Sequence, residues 1–242
     1  MTLHHRLNLA PMARGPSFTR RPHAPVTRRC YAMAAAAIVG FLGGFGSGFD
    51  LELPRLSAED GAVELIEPNL PRWETTGKWT VDAEGVLHLT PKGSTFGLFP
   101  DYKSFLWSDR AYKDFDLELE FRVPRGGKSG IFFRASSLTD YLEVQLADSA
   151  GKSLPLDDDD CGGLVDYVAP SSNRAKPAGQ WNKMRIRVEG EDLQVWLNGA
   201  DVLRVDLDAR PETRGLEAGR LAIQDQSAAV SFRNIKIRDL GP

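Results

Sequence analysis

The chain has 242 residues, of which 42% are hydrophobic and 26% are charged, and its formal net charge is −3. These values are typical of a globular protein and exclude a disordered chain or a multi-span membrane protein. Beyond residue 49, acidic residues outnumber basic ones by 33 to 24, which argues against nucleic acid or anionic lipid as a partner.

The first 49 residues differ in composition from the rest, with six arginines and no acidic residue. A basic stretch ending at Arg28 and Arg29 precedes an apolar run from Ala32 to Leu42 and a glycine-rich exit, which is the order of segments in an export signal. The paired arginines fit a twin-arginine signal, and an ordinary secretory signal fits equally well. Because the apolar run is shorter than the ~20 residues of a spanning helix, we expect a cleaved signal rather than a membrane anchor, and a periplasmic or secreted protein.

The remainder divides into a linker, residues 50–59, and one domain, residues 60–242. Beyond the signal, Cys161 is the only cysteine, so the domain is expected to fold without an internal disulfide. His88 is likewise the only histidine outside the signal, which excludes a His-rich zinc site. Ser-His-Asp catalysis would have to depend on His88, and its strand hairpin gives no sign of that role.

Short strands follow one another along the domain. Trp79–Val81 and Val86–Leu89 flank a turn, and Phe115–Val123 alternates strictly between apolar and polar residues, as a half-buried strand does. Met184–Val188 and Leu193–Leu197 show the same period.

The turns between these strands are also readable. Asn198 and Gly199 form the strongest short hairpin signal and predict a further strand from Val202 to Leu207. In the last strand the apolar phase changes near Arg233 and Asn234, which predicts a β-bulge. Many short strands with regular turns and no long helical segment predict an all-β antiparallel sandwich or jelly roll.

Several blocks together carry a family resemblance. They are LWSDRAYKDFDLELEFR (106–122), GGKSGIFFR (126–134), LEVQL (142–146), AKPAGQWN (175–182), VWLNG (195–199) and VSFRNIKIR (230–238). From about Val63 to Leu240 the chain resembles the 3-keto-disaccharide hydrolase domain family. The resemblance implies a concanavalin A-like antiparallel jelly-roll sandwich, a carbohydrate partner, and cleavage of glycosides that are already oxidised at C3 of the sugar.

Two departures from the family pattern bear on activity. Gln226 occupies a place where many members have a histidine, and the segment around Glu67–Asn69 replaces the family's opening Phe-Asn-Gly. If that histidine is a metal ligand or an acid–base group in its relatives, the chain is weakened, altered or purely binding. A non-catalytic carbohydrate-binding module of the cell envelope, or an interaction module there, is therefore retained as an alternative.

The candidate site lies on two strands. Gly130–Arg134 and Tyr141–Leu146 flank a loop, so a simple hairpin places Arg134 opposite Glu143 and Phe132 opposite Gln145. Alternation then puts one polar and aromatic patch on the face away from the core: Phe132, Arg134, Tyr141, Glu143 and Gln145. An ordinary solvated sheet face with one Arg–Glu pair is the alternative reading of this patch.

The substrate class that the resemblance implies defines the roles. A ketone at C3 acidifies the C2 proton, the C1 leaving group departs by elimination, and water adds back at C1. This route needs a base, an electrophile at the C3 oxygen and an acid for the leaving group. We assign Glu143 as base, held ionised by Arg134, and Arg134 as electrophile, with Asp166 and Asp225 as alternative acids.

Further residues are candidates for binding rather than chemistry. Gln224 extends the patch to a third strand, and Lys176 in a turn could contact a sugar hydroxyl or simply be solvated. Trp107 and Trp181 could stack on a sugar ring or fill the core. The acidic run 157–160 lacks the spacing of a known calcium loop and favours a flexible acidic loop, which leaves a divalent cation as an open cofactor.

Overall fold

The computed structural model describes residues 54–91, 104–137, 139–210, 213 and 215–241. The predicted export signal and the first residues of the predicted linker lie outside the described residues. The described residues form thirteen strands, numbered β1 to β13 along the chain, and one 3₁₀ turn, Ala58–Asp60. None of the helical structure in these ranges is long and apolar enough to cross a membrane.

The larger of two sheets has eight strands, all antiparallel to their neighbours. In spatial order seven of them are β11 (Ala200–Asp206), β10 (Asp192–Leu197), β9 (Asn182–Glu189), β6 (Asp114–Arg122), β13 (Ser231–Gly241), β4 (Leu87–Leu89) and β3 (Trp79–Val81). The eighth, β1 (Val63–Glu64), also pairs with β13.

The smaller sheet has five antiparallel strands. In spatial order they are β2 (Trp73–Glu74), β5 (Leu106–Tyr112), β12 (Gly219–Ile223), β7 (Lys128–Ala135) and β8 (Leu142–Ala147). The apolar phases of both sheets face each other and form one buried core, in which Leu117 and Leu119 of β6 share a cluster with Ile131 and Phe133 of β7. The predicted antiparallel sandwich is therefore confirmed.

The local turn predictions are also confirmed. Asn198 and Gly199 have φ of 51° and 86°, the left-handed values that a two-residue hairpin turn requires. The pairing of β13 with β6 shifts register between Arg233 and Lys236, and Asn234 within that interval has φ of 52°. This is the predicted bulge, and it lets Phe232 and Ile235 both point into the core although they are three residues apart.

The outer face of the eight-stranded sheet, turned away from the core, is a charged network. Asp116 on β6 is fully buried there, and its carboxylate contacts Arg185, Arg187 and Arg238 at 2.6, 3.4 and 3.1 Å. The described end of the predicted linker lies against this face, because Arg185 donates to the Pro54 carbonyl at 3.1 Å. The buried Asp116 carboxylate is thus neutralised by three arginines.

Cys161 lies within the loop that follows β8. Its side chain is buried, its backbone N–H donates to Ser149 Oγ at 3.0 Å, and its thiol is free. Burial raises the pKa of the Cys161 thiol to about 12.

Candidate functional site

One row of residues crosses the outer face of the five-stranded sheet. Glu74 is paired with Trp107, Trp107 with Ala222, Ala222 with Phe132, and Phe132 with Glu143. Directly paired residues point to the same side of a sheet, with their Cβ atoms ~5 Å apart. Three of the predicted site residues therefore share one surface although they come from three strands.

The predicted register of the β7–β8 hairpin is wrong by two residues. Glu143 lies opposite Phe132, and Gln145 lies opposite Gly130. β7 also carries a one-residue bulge at Arg134, whose φ is 48°: from Arg220 to Ala222 β12 advances two residues while β7 advances three, from Ala135 to Phe132. A slip of two residues keeps every side chain on its face, so Phe132, Glu143 and Gln145 remain together.

Arg134 itself leaves the patch. Its guanidinium donates to Glu191 Oε2 at 3.0 Å and to the Gly190 carbonyl, and it lies 3.7 Å from Asp114. These partners belong to β6 and the β9–β10 turn of the other sheet, and Arg134 is only 2% exposed. The predicted Arg134–Glu143 pair is therefore corrected: Arg134 ties the two sheets together, and its proposed role at the C3 oxygen loses the pairing on which it depended.

Glu143 occupies a notch made by the absence of a side chain at Gly130. A Cβ added to Gly130 would lie 1.9 Å from Glu143 Oε1, so only glycine leaves room for the carboxyl group. Glu143 is 4% exposed, and its Oε1 has no hydrogen-bond partner among the described residues. Burial, reinforced by the charge of Asp166, raises the pKa of Glu143 to about 8, so it is mostly protonated at pH 7, contrary to the predicted ionised state.

Asp166 is brought to this site by a loop that runs along the free edge of β8. Val165 donates to the Glu143 carbonyl at 3.0 Å, and Gln145 donates to the Gly163 carbonyl at 2.9 Å. Asp166 sits at the turn of this loop with φ of 68°, and its side chain is exposed. Its negative charge also contributes to raising the pKa of Tyr141, after the larger effect of burial and that of Glu143. Glu143, Asp166 and Tyr141 thus form one electrostatically connected group.

The aromatic residues form a cluster beside that group. Tyr141 stacks on Phe132 with ring centroids 4.1 Å apart and 7° between the planes, and Phe105 meets Phe132 edge-on at 5.5 Å. Phe132 is only 2% exposed, so it supports the cluster, whereas Tyr141 and Trp107 are half-buried and retain accessible surface. Any sugar would therefore meet Tyr141 and Trp107 rather than Phe132.

The other predicted binding residues fall into different environments. Gln145 and Gln224 both flank Gly130 on the outer face, Gln145 on β8 and Gln224 just after β12, where its N–H donates to the Gly130 carbonyl at 3.0 Å. Asp225 accepts from the Ser227 N–H at 2.9 Å and so holds a turn. The Lys176 N–H donates to Asn182 at the start of β9 in the other sheet, and its side chain is exposed.

Trp181 immediately precedes β9 of the other sheet. Arg233 lies over the Trp181 ring at 4.2 Å and Arg122 lies over it at 4.9 Å. These two cations occupy the ring surface that a sugar would need. Arg220 also lies over the Trp107 ring, but at the longer distance of 5.8 Å, and Trp107 shares a row with Phe132 and Glu143, so it is the better placed of the two tryptophans.

The acidic run holds three carboxylates whose ligand atoms lie within 4.8 Å of one another, those of Asp157, Asp159 and Asp160. Two of them already have cationic partners, because Lys128 contacts Asp159 and Lys152 contacts Asp160. Asp160 is buried and also accepts from Ser149 at 2.9 Å. The run is thus an internally bonded loop, and a divalent cation would have to displace two ammonium groups there.

His88 takes part in a second polar chain, on the outer face of the eight-stranded sheet. Its Nδ1 lies 3.0 Å from Ser231 Oγ and its Nε2 lies 2.8 Å from Asp82 Oδ2. Ser231 is on β13, between β6 and β4, where it is paired with Arg122 and with His88. Both ring nitrogens of His88 are thus engaged by neighbouring side chains, and we interpret this trio as a structural hydrogen-bond chain.

Two residues of the site, Gly130 and Lys128, were not predicted from the sequence. Gly130 could have been recognised, because a lone glycine inside a strand marks a close approach of another group. Lys128 shares the face of Gly130 and Phe132, and its positive charge lowers the pKa of Glu143, although less than burial and Asp166 raise it. Nothing in the local sequence separates Lys128 from an ordinary solvated lysine.

Comparison with known proteins agrees with this architecture. Residues 61–238 match the model of the 3-keto-alpha-glucoside-1,2-lyase-like domain. A 3-keto-disaccharide hydrolase from Bacteroides thetaiotaomicron is 27% identical over 207 residues, which cover 67% of this chain and 70% of the relative.

Solved structures support the same fold. A crystal structure described as a candidate glycosyl hydrolase from Parabacteroides distasonis superposes with a TM-score of 0.62 at 23% identity, covering 74% of this chain and 99% of that one. A Bacillus subtilis protein of unknown function with a galectin-like fold superposes with a TM-score of 0.50 at 14% identity, covering 74% of this chain and 94% of that one. The lectin-like jelly-roll class is thereby confirmed.

Proposed function

Because the chain belongs to the 3-keto-alpha-glucoside-1,2-lyase-like domain family, we propose that it is a glycosidase that cleaves 3-keto-glycosides by elimination and hydration. The observation that carries this proposal is the Glu143 carboxyl group. It is buried in the Gly130 notch, its Oε1 has no hydrogen-bond partner in the part of the chain that the structure describes, and its pKa is raised to about 8. A carboxylate of that basicity is far better suited to removing a proton from carbon than one with an ordinary pKa.

The proposed reaction runs through three steps. Glu143 takes the C2 proton, and the electrons of the C2–H bond move toward the C3 oxygen to give an enolate. The enolate then re-forms the C3 carbonyl, a C1–C2 double bond develops, and the C1–oxygen bond breaks with its electron pair leaving on the departing sugar. Water adds at C1 and a proton returns to C2, so that the net change is hydrolysis.

Three neighbouring groups support this assignment of roles. Asp166 lies close enough to affect the pKa of Glu143, and it is our candidate for handling the proton of the leaving group. Asp225 is less well placed for that role, because one of its carboxylate oxygens already accepts from Ser227. Tyr141 and Trp107 supply half-buried rings against which a sugar could lie.

The test is to incubate the protein with a 3-keto-disaccharide and with its unoxidised parent and to measure the released monosaccharides. We expect release from the 3-keto-disaccharide only. Binding of both sugars without release would instead favour a carbohydrate-binding module, a second function favoured by the Tyr141–Phe132 stack. If the protein is inert, Gln226→His tests whether the departure at Gln226 is responsible.

We also propose that the protein works in the periplasm or outside the cell. The support is the acid-free, arginine-containing segment before residue 50 with its short apolar run. N-terminal sequencing of the protein from its own host tests this proposal, since a retained Met1 would contradict removal of the signal.

A further inference from the structure

Gln224 forms the second wall of the Gly130 notch. Its backbone is fixed on both sides, because its N–H donates to the Gly130 carbonyl at 3.0 Å and its carbonyl accepts from Ser129 Oγ at 2.8 Å. The residue is 8% exposed, yet its side-chain Oε1 is buried with no hydrogen-bond partner among the described residues. A buried amide oxygen without a partner destabilises the folded state, and a bound group could offset that cost.

The glutamine on the other side of Gly130 shows the contrast. Gln145 is also buried, but its Nε2 donates to the carbonyls of Ser129 and Leu146 at 2.9 and 3.2 Å. The Gln145 amide nitrogen thus bonds to the backbone of the sheet. No described residue bonds to the Gln224 side-chain oxygen, so the Gln224 amide is available to a bound ligand.

The spacing of the notch defines what could enter. Glu143 Oε1 lies directly over Gly130, and Gln224 stands on the neighbouring strand beside that same glycine. Glu143 is on β8 and Gln224 follows β12, with β7 between them, but Glu143 Oε1 reaches over Gly130 of β7. The carboxyl group is therefore about one strand spacing, ~5 Å, from the strand of Gln224, so the Glu143 carboxyl and the Gln224 amide could contact adjacent atoms of one small ring. An amide can also present either its carbonyl oxygen or its NH₂ group after a half-turn of its last torsion.

We propose that the Gln224 NH₂ group donates a hydrogen bond to the C3 keto oxygen of the substrate, and that Gln224 thereby selects oxidised sugars over their parents. This inference rests on the proposed function. Negative charge moves onto that oxygen while Glu143 removes the C2 proton, so a fixed donor at this position stabilises the enolate. Arg134 was predicted for this role, but its contacts with Glu191 and Asp114 hold it away from the site. Gln224 would then take the role instead.

The test compares Gln224→Met with Gln145→Met. Methionine keeps the length of the side chain and removes the amide. Because the Gln224 side-chain oxygen has no partner to lose, Gln224→Met should leave the thermal midpoint unchanged or raise it, while kcat/KM on a 3-keto-disaccharide falls ~10²–10³-fold. Gln145→Met should instead lower the thermal midpoint, since two backbone carbonyls lose their donor.

A binding measurement separates this inference from the proposed function. The probes are 3-keto-1,5-anhydroglucitol, which has no leaving group at C1, and 1,5-anhydroglucitol itself. We expect the unsubstituted protein to prefer the keto form and Gln224→Met to lose most of that preference. A preference that survives in Gln224→Met would overturn the role of Gln224 alone, whereas no preference and no turnover in the unsubstituted protein would overturn the proposed function as well.

Discussion

Replacing Glu143 by glutamine should make the protein more stable at neutral and alkaline pH. The pKa of Glu143 is about 8 in the folded protein, against an ordinary value of 4.5. Between those two values the folded chain holds a proton that the unfolded chain has released. The free energy of unfolding of the natural protein therefore falls as pH rises through this window.

The size of the effect follows from the gap between the two pKa values. Each pKa unit corresponds to ~1.4 kcal/mol, so ionising Glu143 costs the folded state about 3–5 kcal/mol by pH 8. Glutamine has nearly the same shape and does not titrate. We expect Glu143→Gln and the natural protein to be about equally stable near pH 4.5, and the variant to gain steadily up to pH 8.

Urea unfolding at pH 5, 6, 7 and 8 measures this difference directly. Glu118→Gln is the matched control. Glu118 is also 4% exposed, but it is on the eight-stranded sheet and lies 3.4 Å from Lys183 of the same sheet. That variant should lose stability at neutral pH, since it removes the carboxylate charge that faces Lys183. A Glu143→Gln advantage that does not change with pH would refute the raised pKa and the reasoning built on it.

Three further predictions concern the same site. If Glu143 is the base, kcat/KM should rise with pH and level off above about 8, and a profile that falls through this range would make Glu143 the acid instead. Gly130→Ala should lower kcat ~10²-fold, because the new Cβ displaces the Glu143 carboxyl. Gly126→Ala is the control for a purely structural effect: no atom lies within 4 Å of its added Cβ, but its φ of 66° disfavours alanine, so that variant should lose stability and keep its kcat. Arg134→Met should cost about 2–4 kcal/mol in the free energy of unfolding because Gly190, Glu191 and Asp114 lose their partner, with kcat nearly unchanged. A ~10²-fold loss of kcat in a stable Arg134→Met protein would contradict this purely structural role and indicate that Arg134 takes part in catalysis.

The faces of the strands could be predicted because strand periodicity is local. Glu143 and Gln145 alternate with core residues, and that alternation survives any even register shift. The position of Arg134 could not be predicted in this way, because no local sequence pattern indicates that this non-glycine residue has a φ of 48°. The bulge becomes understandable only when the partners of Arg134, about 57 residues away in the β9–β10 turn, are known.

The charge state of Glu143 was unpredictable for a related reason. Its pKa depends on burial and on Asp166, and Asp166 arrives through a loop that pairs with the edge of β8. The sequence suggested both carboxylates as site residues, but it contains no measure of how deeply either is desolvated. Gly130 was the one feature of the sequence that indicated a close approach at this point, and the structure shows that the approaching group is the Glu143 carboxyl.

The buried thiol of Cys161 offers a reporter for motion at this site. With a pKa of about 12, only on the order of one thiol in 10⁵ is ionised at pH 7, so alkylating reagents and disulfide exchange should not touch it while the loop is closed. Cys161 immediately precedes the segment that pairs with β8 and carries Asp166. The rate at which a reagent labels Cys161 would therefore count openings of that loop, and slower labelling in the presence of a sugar would reveal that the sugar holds it shut.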